Sequence, residues 1–112
     1  MTQRGFKSFE EFWPYYLGEH LHPVNRVLHF IGTTLVYGIV ALALVRSPQW
    51  LALAPFVGYG FAWAGHFFIE KNRPATFTHP IWSLRGDFRM HARMFTGRLR
   101  LDLESLRATS TT

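Results

Sequence analysis

The stretch FIGTTLVYGIVALALVRSPQWLALAPFVGYGFAWAGHFFI, residues 30–69, carries one charged side chain, Arg46. Before it lies a charge-free run of 16 residues (30–45), and after it one of 23 (47–69). At 1.5 Å per residue the first run makes a helix of roughly 24 Å, short of a hydrocarbon core of roughly 30 Å. It crosses only if the turn carrying Asn25, Arg26 and His29 sits at or just below the interface. The second run is long enough without help. Ser47-Pro48 is a cap followed by a first-turn proline, the signal for a new helix. These features read as a transmembrane hairpin with helices at 24–45 and 49–71, joined tightly across 46–49. Pro55 is expected to kink the second helix, and Gly58, Gly60 and Gly65 to let it approach a neighbour closely.

Charge gathers outside the hairpin. Lys71, Arg73 and the C-terminal arginines share its open end with Arg4, Lys7 and Arg26, whereas the connecting turn has Arg46 alone. The positive-inside rule then places both termini in the cytoplasm, with the chain in a bacterial inner membrane. A net charge of +5 also fits a nucleic-acid partner, but no nucleic-acid motif accompanies it. Because the basic residues flank apolar spans, membrane lipid is the expected partner. At 112 residues the chain is read as one domain. Without cysteine it forms neither disulfides nor thiolate metal sites, so any metal is held by nitrogen and oxygen. MTQRGFKSFEEF (1–12) lacks the apolar core of a signal peptide, and none is expected.

Ser8 and Glu11 fit a capping box, and Phe9, Phe12, Trp13, Tyr16 and Leu17 then recur at helical spacing. A short helix over 9–18 follows, kinked or restarted at Pro14 and ended by Gly18. Its aromatic face is read as lying at the bilayer interface, with packing on a core as the alternative. PATFTHPIW (74–82) is a proline-bounded loop, and 83–106 a basic amphipathic helical region with a break at Gly97. Arg85, Arg89 and Arg93 form one stripe on it, either a solvated face or a contact for lipid or substrate anions. His91, four residues after Asp87, is expected to pair with it locally, and the tail ATSTT to fray. The fold class is thus an all-α membrane protein.

The hairpin brings its two histidine-bearing ends together. Asn25 and His29 share a helix face, as do His66 and Glu70, and His20 and His22 lie in the turn before Pro23. An inventory of at least three imidazoles, a carboxylate and an amide suits a divalent transition metal such as iron or zinc. Polar groups beside hydrocarbon are costly and usually functional. Two other readings fit the pattern. One is a small haem or electron-transfer protein with His29 and His66 as axial ligands. The other is a non-catalytic membrane scaffold with structural histidines.

HLHPVNRVLHFIG (20–32) and GHFFIEKNRPA (65–75) also resemble the two signature blocks of the 2-hydroxy-fatty-acid dioxygenase family. Its patterns are a histidine followed by P-x-N-x-x-x-H, then G-H-x-x-x-E-x-x-x-P-A. His20, Pro23, Asn25 and His29 match the first, and Gly65, His66, Glu70, Pro74 and Ala75 the second. WSLRGDF (82–88) is similar to bacterial members. The resemblance implies an iron(II)-dependent α-oxidation in which dioxygen shortens a 2-hydroxy fatty acid by one carbon. It implies His20, His29 and His66 as iron ligands, with Asn25 and Glu70 orienting imidazoles or Glu70 ligating directly. In a chain with a single hairpin, His22 and His79 are the candidates for a further ligand. From their position, Arg73, Arg85 and Arg89 are the candidate cations for the substrate carboxylate. Two spans enclose a substrate poorly, so a homodimer fits this reading.

Overall fold

The computed structural model describes residues 6–110, with side chains to Ala108. Arg4 and the last two residues of the tail lie outside the described residues. Within them every element is helical: α1 (Phe9–Gly18), α2 (Pro23–Val45), α3 (Ala54–Ala64), α4 (Pro80–Phe95) and α5 (Leu99–Ser110). A 3₁₀ turn, Pro48–Leu53, leads into α3, and a π-helical turn, Gly65–Glu70, leads out of it.

Ser8 caps α1, its hydroxyl accepting from the Glu11 N–H at 3.2 Å, while the Glu11 carboxylate accepts from the Lys7 N–H at 2.9 Å. The helix runs through Pro14, which stays on the exposed side. On the opposite side Phe12, Tyr16 and Leu17 are at most 2% exposed, packed with Met90 of α4 and Leu99 of α5. The aromatic face expected at the bilayer interface is instead packed on protein, because α4 and α5 cover it. The guanidinium of Arg85 lies over the Phe9 ring at 4.3 Å, and that of Arg89 over Trp13 at 4.8 Å. Arg89 also pairs with Glu10 at 3.0 Å.

α2 and the rod Pro48–Glu70 form the antiparallel hairpin. His22 caps α2 by accepting from the Val24 N–H at 3.1 Å, and Ser47 caps the returning rod through the Gln49 N–H at 3.4 Å. Pro55, expected inside a continuous helix, instead sits in the first turn of α3, where its missing N–H costs nothing. Small residues set the spacing of the pair. A Cβ on Gly32 would come within 2.8 Å of Phe61 Cβ, and one on Gly58 within 3.2 Å of Val36. Both helices are long and apolar enough to cross a membrane, and Ile31, Leu35, Leu44, Phe56 and Phe68 point away from the protein.

The basic region expected over 83–106 is two helices, folded against each other at Gly97, whose φ of 76° suits glycine. Arg93 clamps them by donating to Asp102 at 2.6 and 3.2 Å. α4 also packs on α2. Phe88 stacks on Tyr37, and His91 stacks on Phe30 at 4.4 Å and meets the Thr34 hydroxyl at 2.8 Å. The local pair expected between His91 and Asp87 is therefore absent, because tertiary partners take both side chains.

Gly65 makes the tightest approach, since a Cβ there would fall 1.8 Å from Asn25 Oδ1. Gly65→Ala is expected to cost about 1–3 kcal/mol through overpacking. Gly38→Ala, where a Cβ meets nothing within 4 Å, is expected to be neutral or stabilising by about 1 kcal/mol through helix propensity. Thermal unfolding measures both, and an unaffected Gly65→Ala protein would contradict this packing.

Candidate metal centre

Three elements each deliver one histidine to the open end of the hairpin. His20 follows the end of α1, one turn beyond Tyr16, on whose ring it stacks with centroids 4.1 Å apart. Arg26 shapes that turn by donating to the carbonyls of His20 and Leu21 at 2.9 and 2.8 Å. His29 comes from the second turn of α2, and His66 from the π-helical turn. All three are buried, at most 4% exposed. Their ring centroids lie 4.5–5.0 Å apart, and one ring nitrogen from each lies within 4.8 Å of those of the other two.

The other ring nitrogens fix the chemistry of this cluster. His20 Nδ1 meets the Tyr16 carbonyl at 2.7 Å, and His29 Nδ1 meets the Asn25 carbonyl at 3.0 Å. A carbonyl only accepts, so both Nδ1 atoms carry the proton. His66 Nδ1 meets Asn72 Oδ1 at 2.8 Å, and the Asn72 amide donates to the Glu19 carbonyl at 3.2 Å. That second bond sets the amide oxygen toward His66, which must donate as well. Each neutral imidazole is thus left with a bare Nε2. His20 Nε2 and His29 Nε2 face each other at 3.2 Å, two lone pairs that repel unless a cation lies between them. Protonation does not relieve this, because burial and the neighbouring imidazoles hold the His20 pKa well below its ordinary value. The donor set therefore fits a metal ion, and the three histidines can hold one.

The other expected site residues fall elsewhere. Glu70 does not reach the imidazoles; its carboxylate accepts from the backbone N–H of His22, tying the rod to the start of α2. That backbone bond holds the Glu70 carboxylate at the start of α2. Asn25 contributes its backbone carbonyl, while its side chain lies against Gly65 with neither polar atom partnered. His22 is exposed and spent on capping. His79 stacks on Trp82, with Phe6 and Phe12 beside it. Arg85 and Arg89 are committed to α1, and Arg73 lies over Phe77 at 5.1 Å. None of these arginines lines the cavities at the cluster.

Two residues that pattern reading missed complete the surroundings. Asn72 takes the orienting role expected of Glu70, brought under His66 where left-handed Lys71 (φ 61°) ends the rod. Asp87 of α4 accepts from the Tyr16 hydroxyl beneath His20. Gly86 permits this, because a Cβ there would stand 2.8 Å from the Tyr16 ring. Burial lifts the Asp87 carboxyl to about 7, although the Tyr16 bond favours its ionised form. Burial and the nearby carboxylate likewise raise the Tyr16 phenol well above its ordinary value.

A space of about 10 Å³ lies among the three imidazoles, Ser83 and Asp87. Beside it a groove of about 330 Å³ starts at His29 and Asp87 and runs between α2, α3 and α4 past Val36, Tyr59 and Phe88 to Leu51. Its size is at the lower end of small-molecule sites, and its lining is mostly apolar.

A comparison with known families matches residues 6–99 to the family described as 2-hydroxy-palmitic acid dioxygenase Mpo1-like. The match covers most of the chain, which belongs to this family. No curated protein and no solved structure matches the chain.

Asp87 generates a pH dependence. Its folded-state pKa lies above the unfolded one, so the neutral carboxyl favours folding. This contribution is complete below about pH 4 and is lost as the pH rises to about 7. Asp87→Asn stays neutral and escapes that loss. In thermal unfolding from about pH 5 to about pH 8, the melting temperature of the variant is expected to gain on that of the parent. A constant difference across this range would show that Asp87 is ionised throughout.

Proposed function

We propose that this chain is an iron(II)-dependent dioxygenase that shortens 2-hydroxy fatty acids by one carbon at a membrane. The observation that carries the reading is a buried cluster of three histidines whose Nδ1 atoms are all bonded elsewhere, which leaves each Nε2 bare, beside an apolar groove. Family membership supports the substrate class.

When bound, iron(II) supplies the redox chemistry that dioxygen needs. His20, His29 and His66 are the residues that would hold it, and three neutral ligands leave positions for other groups. Tyr16, Asn25 and Asn72 keep the three rings in the tautomer that binds metal. The groove takes the acyl chain along α2 and α3, where Val36, Pro55, Tyr59 and Phe88 keep water from it. α2 and the rod Pro48–Glu70 cross the membrane, which explains why their apolar side chains point outward. The basic open end then faces the cytoplasm with both termini.

A haem protein is disfavoured by the cluster itself. His20 lies 4.5 Å from both His29 and His66, where a porphyrin plane between those two would have to pass. A scaffold with structural histidines would hold no metal, and the bare nitrogens argue against it.

Metal analysis of purified protein, with oxygen uptake on 2-hydroxypalmitate, tests the reading. About one iron per chain, no Soret band, and uptake dependent on the 2-hydroxy acid are expected. Alanine at His20, His29 or His66 should abolish bound iron and uptake, whereas His22→Ala and His79→Ala should retain both. Iron without uptake overturns the substrate, and absence of stoichiometric metal overturns the enzyme.

A further inference from the structure

Ser83 and Asp87 stand four residues apart on one face of α4, and both border the space among the three imidazoles. Ser83 is 2% exposed and its hydroxyl has no hydrogen-bond partner. The His79 carbonyl one turn back, the usual refuge of a helical serine, accepts the Ser83 backbone N–H at 2.8 Å, and the Ser83 hydroxyl does not bond to it. A buried hydroxyl left unpaired costs about 1–3 kcal/mol, so its position asks for a ligand. Asp87 borders the groove as well, at the junction where an acyl chain would meet the cluster. The Tyr16 hydroxyl occupies its Oδ1, and the tight packing of Gly86 on Tyr16 holds α4 in register.

Side by side, then, are a hydroxyl with a proton to donate and a carboxyl with an oxygen free to accept. A substrate hydroxyl is the group that answers both, because it donates and accepts through one oxygen. A carboxylate answers only the donor, because it has no proton to give the Asp87 oxygen. A methylene answers neither. Resting on the reading of this chain as acting on 2-hydroxy fatty acids, we infer that Ser83 and Asp87 recognise the substrate's 2-hydroxyl, Ser83 donating to it and Asp87 accepting from it. α4 is then the element that separates 2-hydroxy acids from plain fatty acids. A site built to bond a hydroxyl rejects the analogue lacking it, because its own polar groups are then left unpaired.

The test is equilibrium binding of 2-hydroxypalmitate and of palmitate to the metal-loaded protein in detergent. It is run without oxygen so that nothing is consumed, and compares the parent with Ser83→Ala. The parent is expected to favour the hydroxy acid. Ser83→Ala should lower that preference about tenfold, the worth of one hydrogen bond, through weaker binding of the hydroxy acid alone. Bound metal should be unchanged, and the melting temperature unchanged or higher, since an unpaired hydroxyl has been removed. A merely structural Ser83 would leave the ratio of the two affinities where it was, and that result overturns the assignment while the substrate reading stands. A parent protein that does not prefer the hydroxy acid overturns the substrate reading itself.

Discussion

Three imidazoles that must all donate through Nδ1 cannot also donate to one another through Nε2, and much of this chain is arranged around that constraint. The acceptors differ in kind: the carbonyl of Tyr16 one turn before His20, that of Asn25 one turn before His29, and the side chain of Asn72 beyond His66. The bond from His29 comes with helical geometry, since the carbonyl four residues back is within reach of its ring, and the turn after α1 gives His20 the same reach to Tyr16. The third needs a tertiary device, and Asn72 is held by its bond to the Glu19 carbonyl. The result is a buried cluster of unshared lone pairs that makes chemical sense around a cation.

Bringing the three rings together demands close backbone approach, and glycine supplies it at two levels. Gly65 lets the Asn25 side chain lie against the rod beside His66 and His29, and Gly86 lets α4 press onto Tyr16 beneath His20. The π-helical turn works in the same direction. It carries the buried His66, ends with Glu70 tying down the start of α2, and is followed by Asn72 beneath the His66 ring.

The aromatic and basic surfaces, which look like membrane or substrate contacts when read alone, serve mainly to assemble the C-terminal helices. Phe12, Tyr16 and Leu17 are buried by Met90 and Leu99. Arg85 and Arg89 are held by Phe9, Trp13 and Glu10. α4 is thereby placed across the hairpin's open end, where it closes one wall of the groove and brings Ser83 and Asp87 to the space among the three imidazoles. An element that resembles a surface helix becomes part of the site.

The hairpin was legible because charge is a one-dimensional signal: two charge-free runs parted by Arg46 and Ser47-Pro48 leave little other choice. His20, His29 and His66 were legible for the same reason, since a hairpin turns distance along the chain into proximity at its end. Their partners were not. Glu70 sits four residues from His66, as Asn25 does from His29, and an ideal helix predicts an orienting side chain in both pairs. Helical period is an average property of sequence, whereas the π-helical turn and the left-handed Lys71 depend on how the rod meets α1 and α2. Asp87 was likewise hidden, because its partner Tyr16 lies 71 residues away on a helix whose packing no local pattern encodes. Sequence alone therefore determined which residues could meet at the end of the hairpin. Only the tertiary structure decided which of them face inward, because a side chain's direction depends on backbone spacing and on neighbours distant in the chain.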